Sequence, residues 1–192
     1  MSTVTIIGTG TMGTAIAGLA EKAGRTVQLL GTADAATPVA GEIVVLAVPY
    51  PAVAKVLAER GDQLAGRVVV DITNPVDFET FDSLTVPADS SAAAELAAAL
   101  PTARVVKGFN VNFAATLVSG VVGDQPTTVL LAGDDADAKA QVAQVVTAAG
   151  LRAVDAGSLR RARELEAQGF LQITLAAAEK TPWTGGFALQ AA

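Results

Sequence analysis

The chain has 192 residues, 51% of them apolar and 17% charged, and a net charge of −6 from 13 basic and 19 acidic side chains. That balance predicts one folded domain with a proper core, leaves room for a small appendage, and excludes a nucleic-acid footprint. With neither histidine nor cysteine, disulfides, thiolate nucleophiles and the Ser-His and Cys-His catalytic arrangements are excluded, and no metal site is expected. No apolar run reaches the about 20 residues that span a bilayer. No secretory signal precedes the first strand, so a soluble cytoplasmic protein without a membrane partner is the expectation.

In chain order, Thr3–Ile7 reads as a strand and Thr11–Ala23 as a helix, joined by GTGTMG. This places Gly8, Gly10 and Gly13 in a G-x-G-x-x-G pattern between strand and helix, where it becomes a dinucleotide-binding fingerprint. Gly8 permits a tight turn, Gly10 lets backbone approach a pyrophosphate, and Gly13 permits close packing of helix on strand. Further strands are predicted at Thr26–Leu30, Ile43–Val48, Arg67–Asp71, Val105–Lys107, Thr128–Ala132 and Arg152–Asp155. Helices are predicted near Pro51–Arg60, Ser91–Leu100, Asp135–Ala149 and Leu159–Ala178. Short Val- and Ile-rich runs alternating with Ala-rich helical stretches argue a parallel sheet covered on both faces.

Between the second and third strands stands only GTADAATPVAG, too short for the usual helical crossover. The second strand is therefore expected at the sheet edge, with the chain crossing directly to the far side of the first strand. The fold class expected is α/β: a doubly wound parallel sheet of the Rossmann NAD(P)-binding type, trimmed after the second strand, over residues 1–157. A short C-terminal helix and tail, residues 158–192, pack on the same domain or on a dimer partner. Residues 72–90 read as a long polar loop, of the kind that often carries function. In the last helix a stripe at Leu159, Ala162, Leu165, Phe170, Ile173 and Ala177 faces inward. Gly169 either breaks that helix or admits a closely packed neighbour. Arg160, Arg161 and Arg163 read as a solvated face or as an attraction for a polyanionic co-substrate. The tail, with the only Trp, reads as an extended arm or an ordered lid.

Ligands of open α/β sheets bind beyond the carboxyl ends of the strands. At the second strand, where an acid would take the ribose of NAD and an Arg the extra phosphate of NADP, the chain has Gly31-Thr32-Ala33, with Asp34 one step later. Hydroxyls of Thr9 and Thr32 could meet a 2′-phosphate, which predicts a modest preference for NADPH; Thr32 reads equally as a turn residue. Val48-Pro49-Tyr50, Asp71 to Pro75 and Lys107 to Phe113 mix backbone-shaping residues with small polar groups, which suits orienting a nicotinamide amide. Asn74, Asn110 and Lys107 are weak catalytic candidates. The Asn residues read also as turn formers, Asp71 as a loop cap, Lys107 as a surface charge, and Tyr50 as packing.

Taken together, GTGTMG, AVPYPAV, VVDITNP, ADSSAAAELAAALPTARVVKGFN with FAATL, and DAGSLRRARELEAQGFLQ resemble the coenzyme F-420-dependent NADP oxidoreductases and their short dinucleotide-binding relatives, with the reductase domain of the six-transmembrane metalloreductases a more distant cousin. The resemblance implies a homodimeric Rossmann protein with NADP across the glycine turn (NAD being possible) and its nicotinamide facing a flavin-like ring. It places Gly8, Gly10, Thr11, Met12 and Gly13 at the pyrophosphate, Thr9, Gly31 and Thr32 by the 2′-phosphate, and Val48, Pro49, Asn74 and Asn110 by the nicotinamide. Relatives commonly carry a basic residue where this chain has Ala33. The expected activity is hydride transfer between NADPH and coenzyme F-420 or a flavin. The alternatives are an NAD(P)-dependent reductase of a small carbonyl compound and a non-catalytic NAD(P)H-binding redox sensor.

Overall fold

The computed structural model describes residues 2–190; Met1, Ala191 and Ala192, at the ends of the two expected regions, lie outside the described residues. Seven strands form one sheet: β1 (Thr3–Ile7), β2 (Thr26–Leu30), β3 (Ile43–Leu46), β4 (Val68–Asp71), β5 (Arg104–Lys107), β8 (Thr128–Gly133) and β9 (Arg152–Gly157), in the spatial order β2-β1-β3-β4-β5-β8-β9. The helices are α1 (Thr11–Lys22), α2 (Val53–Arg60), α3 (Ala92–Ala99), α4 (Ala114–Ser119), α5 (Ala136–Ala148) and α6 (Ala162–Ala177). A small hairpin of β6 (Val121–Val122) and β7 (Gln125–Pro126) stands apart from the sheet.

The continuous apolar strands are explained by a core on each face. Val4, Ile6, Ile43, Val45, Val68 and Val70 pack with α1 and α5 residues such as Ile16 and Val142. Their neighbours Ile7, Val44, Leu46 and Val69 pack on the other face with Val56 and Leu96. Alternate side chains thus bury on opposite faces, which favours near-continuous apolar runs in the strands. Among the described residues no helix is long and apolar enough to cross a membrane.

The trimmed crossover follows the expected course. β1 pairs in parallel with β2 on one side and β3 on the other, so β2 is the edge strand. Side chains satisfy the backbone groups that a crossover helix would have paired. Arg60 donates to the carbonyls of Thr37, at 2.6 Å, and Asp34. Arg67 donates to the carbonyls of Gly41 and Val39, and Gln28 bonds both Ala40 N–H and the Pro38 carbonyl.

The expected all-parallel sheet needs correction at one pairing: β8 runs antiparallel to β5, with Val106 opposite Gly133. The intervening chain contains only the six-residue α4 and the hairpin, neither predicted. No helix runs the length of the sheet to bring the chain back, so β8 enters from the end where β5 left. The last helix also differs from expectation. A short 3-10 turn, Leu159–Arg161, precedes α6, which runs unbroken through Gly169. Leu159, Ala162 and Leu165 are buried as expected, but the stripe continues through Glu166, Gly169, Gln172 and Ala176 rather than Phe170, Ile173 and Ala177. The tail lies on its own chain: the Trp183 ring packs tilted against Phe113, with centroids 4.9 Å apart, and Arg152 holds the Leu189 carbonyl at 2.8 Å.

Candidate functional site

The glycine turn joins β1 to α1 with little room for side chains at two of its three glycines. Gly8 has φ +121, and a β-carbon there would stand 2.0 Å from the Ala47 carbonyl oxygen. A β-carbon on Gly13 would stand 2.0 Å from the Gly8 oxygen. At Gly10 the same test meets nothing within 4 Å: the turn is packed beneath and open above. Gly10 is the N-cap of α1, no side chain caps this end, and its first turn holds no acid. The unpaired amide groups and the positive end of the helix dipole therefore face an exposed concavity suited to a pyrophosphate. Thr9 and Thr11 are exposed and Met12 half-buried beside it.

The turn is tied to its neighbours. Gly8 N–H donates to Leu30 O at 2.8 Å, which fixes the end of β2 beside it. Val48 lies against Gly8 on the other side, and Pro49 is exposed next to it. Strand order then carries the line of carboxyl ends through β4, with Thr73 and Asn74, to β5, with Gly108, Phe109 and Asn110. The structure so brings the expected residues onto one edge of the sheet.

Asn74 and Asn110 are mutual partners. Asn110 Nδ2 donates to Asn74 Oδ1 at 2.9 Å and to the Leu165 carbonyl of α6, and Asn74 Nδ2 donates to the Asn110 carbonyl at 2.8 Å. They bond each other and α6, not their own turns. Phe109 precedes Asn110 at φ +60 with its ring buried. A non-glycine residue in the left-handed region marks backbone strain, here offset by burial of the ring. Asn110 Oδ1 and Thr73 Oγ1 are buried without a partner. Such orphaned groups at the strand ends fit recognition of a carboxamide.

Below this pair lies a charge cluster that the sequence did not announce. Lys107 is not a surface charge: it is fully buried, with Nζ 2.8 Å from both Asp71 Oδ2 and Glu166 Oε1 and 2.6 Å from the Thr73 carbonyl. Asp71 Oδ1 accepts the Thr73 N–H, and Glu166 also accepts the N–H groups of Ala92 and Ala93 at the start of α3. Burial pushes the Glu166 carboxyl above its ordinary range, with Lys107 and the Ala92 amide opposing. The cluster ties β4, β5, α3 and α6 together under the two asparagines. Lys107 therefore shapes the floor and is withdrawn as a catalytic candidate. The signal in the sequence was an acid on the inward stripe of α6, four residues after Ala162 and three before Gly169.

Tyr50 is also engaged. Its hydroxyl donates to Glu95 at 2.5 Å, and its pKa is pushed up to about 12 by burial first and the carboxylate second. It keeps its proton across the physiological range. A groove of about 1220 Å³ runs along α1 and α4, lined by Leu19, Leu117 and Val118, and shares only Thr9, Gly10 and Thr11 with the glycine turn.

The family model described as NADP oxidoreductase, coenzyme F420-dependent, matches residues 19–75. Metalloreductase STEAP3 of Rattus norvegicus is 40% identical over 111 residues, 58% of this chain and 22% of that one. The F420-dependent NADP reductase of Methanocaldococcus jannaschii is 29% identical over 149 residues, 76% of this chain and 66% of that one. The chain thus spans less than two thirds of the length of these curated relatives. The crystal structure of an Arthrobacter sp. FB24 protein assigned as an F420-dependent NADP reductase matches with a TM-score of 0.86 at 27% identity, covering 100% of both chains. The comparisons agree with the resemblance drawn from the motifs: the chain has a Rossmann-like fold and is similar to the coenzyme F420-dependent NADP oxidoreductases.

Proposed function

We propose that this chain binds a nicotinamide dinucleotide along the carboxyl ends of β1 to β5 and serves hydride transfer between it and a planar flavin-like acceptor, coenzyme F-420 or a flavin. The observation that carries this reading is the glycine turn, closed beneath Gly8 and Gly13 and open above Gly10 at an uncapped helix start. The amide groups from Gly10 to Gly13 would hold the pyrophosphate. Thr9, Gly31 and Thr32 would flank the adenosine ribose, and Val48, Pro49, Asn74 and Asn110 the nicotinamide. The dinucleotide supplies the hydride; the chain supplies position and exclusion of water.

Transfer between two rings needs no acid from the protein. Reduction of a small carbonyl would call for a proton donor at the oxyanion, and two groups that could serve are held elsewhere, Lys107 under the floor and Tyr50 on Glu95. The homodimer and the cytoplasmic setting belong to the same proposal. Support for the homodimer comes from the apolar side chains left exposed at Val118, Leu171 and Trp183.

The test follows the nicotinamide absorbance of protein mixed with reduced dinucleotide, then with oxidised F-420 or FMN, without oxygen. Protein-dependent loss of that absorbance with one acceptor is expected. Tight dinucleotide binding with no turnover of either acceptor would overturn the hydride-transfer reading and leave binding alone.

A further inference from the structure

The turn after β2 lies against the glycine turn. The Asp34 carboxylate folds back to accept the Gly31 N–H at 2.8 Å. A β-carbon on Gly31 would lie 3.2 Å from Thr9 Cγ2, 3.6 Å from Thr9 Oγ1 and 3.6 Å from Asp34 Oδ2. Thr9, Gly31 and Asp34 therefore border one spot. The carboxylate is also fixed in place, because Arg60, 4% exposed, donates to the carbonyls of Asp34 and Thr37. The Arg60 guanidinium is directed at backbone beneath the turn. From Gly31 to Gly41 the sequence has no Lys or Arg.

A dinucleotide seated on the glycine turn brings its adenosine ribose to the end of the second strand. A 2′-phosphate at that point calls for a cation, best a guanidinium. Here it would meet a carboxylate that already occupies the Gly31 amide. A 2′,3′-diol instead brings hydroxyl donors, which a carboxylate accepts well.

We propose that Asp34 is the specificity-determining residue of the adenosine end, and that it makes this chain select NAD(H) over NADP(H). This rests on the dinucleotide reading above and reverses the modest NADPH preference expected from Thr9 and Thr32. It also sets the chain apart from the relatives named for NADP. Thr9 and Thr32 then line the ribose without holding a phosphate.

Calorimetric titration with NADH and NADPH of the wild type, Asp34→Asn and Ala33→Arg tests this directly. The wild type should bind NADH at least tenfold more tightly. Asp34→Asn keeps an acceptor for the Gly31 amide and removes the charge; it should narrow the ratio to threefold or less. Ala33→Arg, at an exposed position, should tighten NADPH while leaving NADH within about twofold. Raising the salt should narrow the wild-type ratio, because the repulsion is screened. A wild type that prefers NADPH, or a ratio that neither variant moves, would overturn the assignment and leave the dinucleotide reading standing. Failure of the wild type to bind either dinucleotide would overturn both.

Discussion

The glycine turn and the floor beneath Asn74 and Asn110 are neighbouring parts of one site built on opposite principles. At the turn the chain removes side chains, so that backbone amides and a helix end face outward at an open surface. At the floor it buries three charges, Lys107, Asp71 and Glu166, and lets them hold four elements in register. A side chain at Gly10, the open position of the turn, should therefore cost binding and little stability. Loss of a floor element should cost stability first, because an unpaired buried charge is far more expensive than the pair was favourable.

The largest effect is expected at the floor. Lys107→Met leaves Asp71 and Glu166 facing each other without a counter-charge. It should destabilise the protein by about 3–5 kcal/mol, which lowers the melting temperature by roughly 10 °C in a chain of this size. Thermal unfolding followed by circular dichroism measures it; a melting temperature within a degree or two of wild type would mean that the cluster is incidental.

Gly169→Ala joins the two regions. In an exposed helix this change would stabilise by about 1 kcal/mol. Here the new β-carbon would stand 2.3 Å from Asn74 Oδ1, so Asn74 must leave Asn110 or α6 must shift. The expected result has the opposite sign, a loss of about 1–3 kcal/mol, and a weakened nicotinamide end with it. A stabilised variant would show that the asparagine pair is not fixed against α6.

A smaller effect sharpens the charge account. Burial raises the Glu166 carboxyl above its ordinary value of 4.5, so the folded chain keeps that proton to higher pH than the unfolded chain does. The stability this contributes is complete below about pH 4.5 and is lost as pH rises through the folded value. Glu166→Gln removes the titration. Relative to wild type, its unfolding free energy should improve as pH rises from about 4.5 towards neutrality. The reverse slope would show that Lys107 and the α3 amides outweigh burial. The smallest effect is expected at Tyr50→Phe, which loses one partly exposed hydrogen bond to Glu95. It should change stability by less than about 1 kcal/mol and leave hydride transfer intact; a tenfold slower transfer would give Tyr50 a part in the reaction.

The contrast between the two regions also explains what could be read from the sequence. A backbone site is written in residue types that permit it, so Gly8, Gly10 and Gly13 were legible, as was the bare crossover after β2. Strand positions were legible because two-sided burial needs unbroken apolar runs. Direction was not, because a run such as Thr128 to Gly133 reads alike in parallel and antiparallel pairing. The six residues of α4 are too few to show a period. The floor was hidden for a different reason: periodicity arguments place Lys and Glu outside, so the apolar pattern runs through Phe170 and Ile173, while Glu166 and Gln172 take the inward positions. Asn74 and Asn110 were legible as strand-end residues, but their pairing across 36 positions was not. Asp34 was visible in the sequence, yet only the folded turn shows it bonded to the Gly31 amide.

The most direct test of the central claim is calorimetric titration of reduced dinucleotide into wild type and Gly10→Val, with thermal unfolding of both. A β-carbon at Gly10 meets nothing in the folded chain, so Val should cost no more than about 1 kcal/mol at this N-cap while filling the space where a pyrophosphate must approach. The account predicts binding to the wild type, weakened at least a hundredfold in the variant at a nearly unchanged melting temperature. Equal affinity in the two proteins would contradict it, since the turn would then not hold the cofactor.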